Sequence, residues 1–206
     1  MLKLTSKVFL LCIILLIWLS TAVGADNSGS AYDFSSSKIW LGNAKSRIEI
    51  FFVSDWYCPY CRKAEPAIEE MLPEVGKISR YTFADFPVHR ESNGFVPYNI
   101  SLLINEKKQY QRGRHALLSI AGKTRSPDDA SIRVALAQKG IIFKMAGFSD
   151  IFQTTNRISM LLRGSGVKMT PSVLIRNTRT GKMIILEGME EIQKPIVMAT
   201  IKSLEG

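Results

Sequence analysis

The sequence predicts a mixed α/β fold: a small sheet covered by helices on both faces and split by a long all-helical insertion. Three observations carry this reading. A β-prone apolar run, "RIEIFFVSD" (47–55), leads directly into a Cys-x-x-Cys pair and then a helical pattern. Two further β-prone runs, "PSVLI" (171–175) and "KMIILEG" (182–188), stand near the other end of the chain. Between the two groups, residues 89–168 have little strand character.

The elements follow in order. The run 47–55 is continuously apolar, the mark of a strand buried on both faces. In "PYCRKAEPAIEEMLPEV" (59–75), Ala64, Ile68, Met71 and Leu72 recur at helical spacing. Pro59 suits the first helical position, where a missing N–H costs nothing, and Pro66 is expected to kink the helix without ending it. "ISRYTFADF" (78–86) is a second strand. In the insertion, "NISLLINEKKQYQRGRHALLSIAG" (99–122) is helical with a break expected around Gly113. "SPDDASIRVALAQKG" (126–140) and "SDIFQTTNRISMLLRGSG" (149–166) each open on capping residues and close on glycine. The insertion is expected to pack over one edge of the sheet. The runs 171–175 and 182–188 flank the polar turn "RNTRTG" as a hairpin. "MEEIQKPIVMATIKSLE" (189–205) closes the chain as an amphipathic helix interrupted near Pro195.

The chain of 206 residues suits one domain carrying an insertion. At its start, Lys3 and Lys7 precede the apolar "VFLLCIILLIWL" (8–19) and the small-residue "STAVGA" (20–25). That is the pattern of a secretory signal peptide over residues 1–25, cleaved near Gly24 or Ala25; an uncleaved anchor is the alternative. The remaining parts are then 26–88, the insertion 89–168, and 169–206. Export changes the cysteine arithmetic. Cys12 leaves with the signal, so only Cys58 and Cys61 remain, in an oxidising compartment. A disulfide closing so small a loop removes little unfolded-state entropy, so stapling is a poor reason for the pair. Structural zinc wants four Cys or His ligands, and only His89 and His115 stand beside the two cysteines, at no shared spacing. Redox chemistry is left.

The strand–CxxC–helix setting gives the two thiols different work. Cys58 falls at the helix N-terminus, where free N–H groups and the macrodipole favour a thiolate. Cys61 lies inside the first turn, more buried. Cys58 is the expected nucleophile and Cys61 the resolving thiol that releases a mixed disulfide. Arg62 and Lys63 are expected to face solvent. Asp55 and Glu49 are candidate carboxylates for proton transfer, weighed against an exposed Asp at a strand end. Trp56, Tyr57 and Tyr60 offer aromatic surface beside the cysteines, with Tyr60 the most exposed of the three and Trp56 equally readable as core.

These residues resemble a known family. "LGNAKSRIEIFFVSDWYCPYC" (41–61), "FPVH" (86–89) and "MTPSVLI" (169–175) are similar to the DsbA-like thiol:disulfide oxidoreductases, over nearly all of the chain from Trp40 onward. The resemblance implies a thioredoxin-like fold with an inserted all-helical domain and a catalytic pair Cys58 and Cys61. It also implies a cis-proline, Pro171, facing the disulfide, with Thr170 presenting backbone to a bound peptide and Tyr60 beside it. On the ligand count no metal is expected, and no cofactor is expected either. The implied activity is introduction of disulfides into secreted proteins in the periplasm. Its partners are unfolded or partly folded exported proteins and a membrane redox partner. A reductase or isomerase with the same site, or a peptide-binding chaperone, is the alternative. The Pro59-Tyr60 dipeptide leaves the direction of electron flow open, since strong oxidants of the family carry a histidine there.

Charge is unevenly placed. Residues 89–168 hold 13 basic and 5 acidic side chains, so the insertion is the basic part of the chain. For an exported protein this points away from nucleic acid, and towards a solvated face or contact with an anionic membrane surface.

Overall fold

The computed structural model describes residues 33–34 and 37–205, so the signal-peptide reading of residues 1–25 lies outside it. β1 (Leu41–Gly42), β2 (Ile48–Ser54), α1 (Pro59–Ile78) and β3 (Arg80–Asp85) form the first half. β4 (Ser172–Asn177), β5 (Met183–Glu187), α6 (Gly188–Glu191) and α7 (Lys194–Glu205) form the second. Between them come α2 (Val96–Asn105), α3 (Tyr110–Ala121), α4 (Asp129–Gln138) and α5 (Phe148–Ser165), with short 3-10 turns at Arg90–Phe95 and Lys107–Gln109. The five strands lie in the order β1-β3-β2-β4-β5. β2 runs parallel to β3 and antiparallel to β4; β1–β3 and β4–β5 are antiparallel.

β2 is the centre, and its composition explains why. All seven of its residues are buried, as a strand covered on both faces requires. The two-residue β1 was not legible as a strand. It is held by tertiary packing: Gly42 has φ 77°, and a Cβ there would come within 2.7 Å of the Ser79 carbonyl, so only glycine lets β1 approach. α1 starts at Pro59 as expected and continues through both Pro66 and Pro73 to Ile78. Cys61, Ala64, Ile68, Met71, Leu72 and Val75 form its buried stripe. The closing helix breaks between α6 and α7, just before Pro195.

The insertion differs from expectation in two ways. Its first helix breaks at Glu106, not at Gly113, which lies inside α3. A Cβ at Gly113 would meet the Leu102 side chain at 2.8 Å, so this glycine serves close packing of α3 on α2. The insertion also does more than cover an edge. Arg114 of α3 is 1% exposed and pairs with Glu65 of α1 through Nη2 and through Nε at 3.1 Å, while Nη2 reaches Ser54 Oγ of β2 at 3.3 Å. Its guanidinium also lies over the rings of Trp56 (4.9 Å) and Phe83 (4.3 Å). Beside it, Asn99 of α2 donates to Phe83 O (3.2 Å) and to Asp85 Oδ2 (2.9 Å), and accepts from Tyr110 Oη at 2.7 Å. From Phe34 onward the chain forms one compact unit.

Removing one member of a buried ion pair leaves the other uncompensated. Arg114→Met is therefore expected to cost about 3–5 kcal/mol of unfolding free energy in a urea titration. The double variant Arg114→Met, Glu65→Leu should recover most of that loss.

Candidate functional site

β2 ends at Ser54, and the next seven residues carry the chemistry. Asp55 is 1% exposed, where a strand-end aspartate in solvent had been the alternative. Its Oδ1 accepts the N–H groups of Tyr57 (2.8 Å) and Cys58 (3.0 Å). The same oxygen meets Nδ1 of His89 at 2.9 Å, and Oδ2 accepts the His89 N–H at 2.8 Å. Asp55 thus ties the turn that presents Cys58 to the segment leaving β3. Sequence reasoning named Asp55 and His89 separately and missed their contact; the residues are 34 positions apart, and no local pattern joins them.

Cys58 is the N-cap of α1, in extended backbone conformation, with Pro59 following. Its sulfur lies 3.5 Å from the Thr170 carbonyl oxygen. The Thr170–Pro171 peptide bond is cis, and Gly188 N–H bonds to Pro171 O, anchoring the loop to the start of α6. Cys61 sits one turn into α1 and is 2% exposed, against 6% for Cys58. The Asp55 N–H donates to Cys61 Sγ at 3.4 Å. Burial pushes the Cys61 thiol up to about 11, against the opposing hydrogen bonds from Thr170 and the Asp55 N–H.

Of the three aromatic residues beside the cysteines, Tyr60 alone is exposed, at 61%, with the Lys63 ammonium 5.8 Å from its ring centroid. Trp56 and Tyr57 are core. The Trp56 indole donates to Asp85 Oδ1 (2.8 Å) and stacks on Phe95, and the Tyr57 hydroxyl donates to Thr124 O (3.0 Å). Arg62 is half-buried and reaches Ala121 O at 3.4 Å, so it is not a solvent-facing charge; Lys63 is. Glu49 is fully buried at the far end of β2, bound by Arg80 and Arg176, which takes it out of the cysteine chemistry. His115 is half-exposed and pairs with Glu69 of α1. A groove of about 540 Å³ opens between α2 and α5, lined in part by Asp85, Pro87, Phe148 and Phe152, and includes neither cysteine.

A family model described as Thioredoxin matches residues 35–194. The chain belongs to the thioredoxin family. No curated protein sequence matches it. Among solved structures, it is similar to a periplasmic thioredoxin-like protein from Salmonella enterica serovar Typhimurium, at 18% identity and a TM-score of 0.64, over 88% of this chain and 98% of that one. It is also similar to the catalytic domain of Proteus mirabilis ScsC (19% identity, TM-score 0.60, 85% and 97%). A third relative in fold is the thiol-disulfide exchange protein alpha-DsbA2 from Wolbachia pipientis (21%, TM-score 0.59, 85% and 95%). At these identities the likeness is one of fold, and the fold is of the DsbA and ScsC type. Family, fold and the CxxC pair at a helix start together make the chain a thiol–disulfide oxidoreductase. Among the described residues, no helix is long and apolar enough to cross a membrane.

The raised Cys61 thiol has a direct consequence. At pH 8 Cys61 is held almost entirely as the thiol. Iodoacetamide is therefore expected to label Cys58 and leave Cys61 unmodified in the folded, reduced chain. Cys61 labelling should rise only as the pH approaches about 11. Peptide mass spectrometry, with a urea-unfolded control that labels both, checks this.

Proposed function

We propose that the protein is a periplasmic disulfide oxidase that passes a Cys58–Cys61 disulfide to exported proteins. The observation that carries the reading is the asymmetric thiol pair. Cys58 faces the Thr170 carbonyl at the mouth of α1, and Cys61 lies behind it, buried and held as a thiol. The thioredoxin-like parts, 26–88 and 169–206, supply the site, and the insertion 89–168 braces it. The signal-like N-terminus and the periplasmic setting named for one structural relative support the location.

In the oxidised enzyme, a substrate thiolate attacks Cys58 Sγ. The Cys58–Cys61 bond breaks, and Cys61 leaves as a thiolate that takes up a proton, as its high proton affinity favours. Cys58 now holds the substrate in a mixed disulfide. A second substrate thiolate attacks the substrate sulfur, forming the substrate disulfide and expelling Cys58 as a thiolate. Two substrate thiols are oxidised and the enzyme pair is reduced. A membrane redox partner then takes the electrons and restores the disulfide. Thr170 O and the residues about Pro171 lie where a substrate backbone would pair beside Cys58, with Tyr60 as exposed aromatic contact.

Equilibration with glutathione decides the direction. A potential near about −120 mV marks an oxidase, and one near about −270 mV marks a reductase and overturns this reading. Cys58→Ser should abolish oxidation of a reduced dithiol peptide. A Cys58→Ser variant that still oxidises the peptide would remove Cys58 from the mechanism.

A further inference from the structure

We propose that Asp55 and His89 form a positioning pair that makes Cys58 reactivity depend on the charge of the imidazole. This rests on the reading of Cys58 as nucleophile. One carboxylate oxygen serves both sides of the pair: Asp55 Oδ1 accepts from Cys58 N–H and meets His89 Nδ1. A carboxylate only accepts, so Nδ1 carries the proton in this contact. The His89 backbone N–H on Oδ2 fixes the ring beside the carboxylate. Asp55 is almost fully buried, while the His89 side chain is one-third exposed and can exchange protons with solvent.

The consequence is electrostatic. Two of the N–H groups at the mouth of α1, those of Tyr57 and Cys58, point at Asp55. With His89 neutral, a buried negative charge stands next to Cys58 and opposes a thiolate there. With His89 protonated, the imidazolium offsets that charge, and the opposition weakens. The pair therefore sustains Cys58 reactivity on the acid side of neutrality, where an ordinary thiol fades. That suits an enzyme outside the cytoplasm, in a compartment whose pH follows the surroundings.

Other charges face the pair. Glu91, from the 3-10 turn after His89, lies near the imidazole and is itself held below the usual carboxylate range, chiefly by a backbone hydrogen bond, with Arg125 contributing. Arg125, from the α3–α4 connection, meets Glu91 at 3.5 Å and lies over the Tyr57 ring at 5.4 Å. Arg62 of α1 also acts electrostatically on Tyr57. The Arg125–Glu91 pair is solvent-exposed and screened. Asp85, at the end of β3, also feels the Asp55 charge, and burial pushes its carboxyl up to about 6, inside the same pH window. All four groups stay in place in the variants below.

The test is the alkylation rate of Cys58 in the reduced full chain between about pH 5 and pH 8, the window in which histidine changes charge. His89→Asn keeps an N–H donor towards Asp55 but does not titrate. The wild type is expected to react roughly threefold faster than His89→Asn at about pH 5, with the ratio falling to one near about pH 8. Asp55→Asn should react faster than the wild type at about pH 8. His89→Gln repeats the comparison should His89→Asn fail to fold. A wild-type to His89→Asn ratio that is constant with pH, or an Asp55→Asn variant no faster than wild type at high pH, overturns the pair and leaves the nucleophile intact. A Cys58 that reacts no faster than Cys61 in the wild type overturns both.

Discussion

The antiparallel register of β2 against β4 is the constraint on which the rest of the molecule depends. With Val53 opposite Ser172, the turn that follows β2 and the loop that precedes β4 emerge at the same end of the sheet. Cys58 and Thr170 thereby meet, although 112 residues separate them. A shift of one residue would turn every β2 side chain to the other face, from one packed layer into another. Because β2 is buried on both faces, that slip is strongly opposed. The position of the cysteine is thus set by packing far from it.

The insertion contributes to the same end. Arg114 lies over the rings of Trp56 and Phe83 and is bonded to Glu65 and Ser54, so one side chain of α3 fixes α1, β2 and β3 together. Burying such a cation is costly and rarely adds net stability, but it leaves few alternative arrangements of α1 against the sheet. The mouth of α1 is then specified from three directions. Asp55 holds the N–H groups of Tyr57 and Cys58 that lead into it, the Thr170 carbonyl faces the Cys58 sulfur, and Arg114 is bonded to Glu65 one turn beyond Cys61.

Much of this was legible in the sequence because it is local. The apolar run of β2, Pro59 at the first position of α1, and the Asp128 cap of α4, which accepts the Ser131 N–H, are decided by neighbours in the chain. The cis bond at Thr170–Pro171 came from family resemblance, not from periodicity. What escaped was set by distant partners. Gly113 has the chemistry of a helix break, yet stays helical because Leu102 packs where its side chain would be. Asp55 looks like a solvent-facing strand end until His89 is placed beside it. Tyr57 looks like binding surface until Phe95 and Thr124 cover it, while Trp56, equally readable as core, is buried against Phe95 and Asp85. The two-residue β1 is too short to leave a pattern.

The central claim is that Cys58 is the sulfur that carries the covalent intermediate and that, when the reduced pair meets a disulfide, Cys61 resolves it. Replacing Cys61 by alanine removes the buried thiol while leaving the Cys58–Thr170 arrangement. Incubated with a peptide disulfide, the Cys61→Ala chain should accumulate a long-lived mixed disulfide. Mass spectrometry should place that bond on Cys58, and the wild type under the same conditions should show little of it. Failure of the variant to trap the peptide, or trapping equal to that in the wild type, would contradict the account.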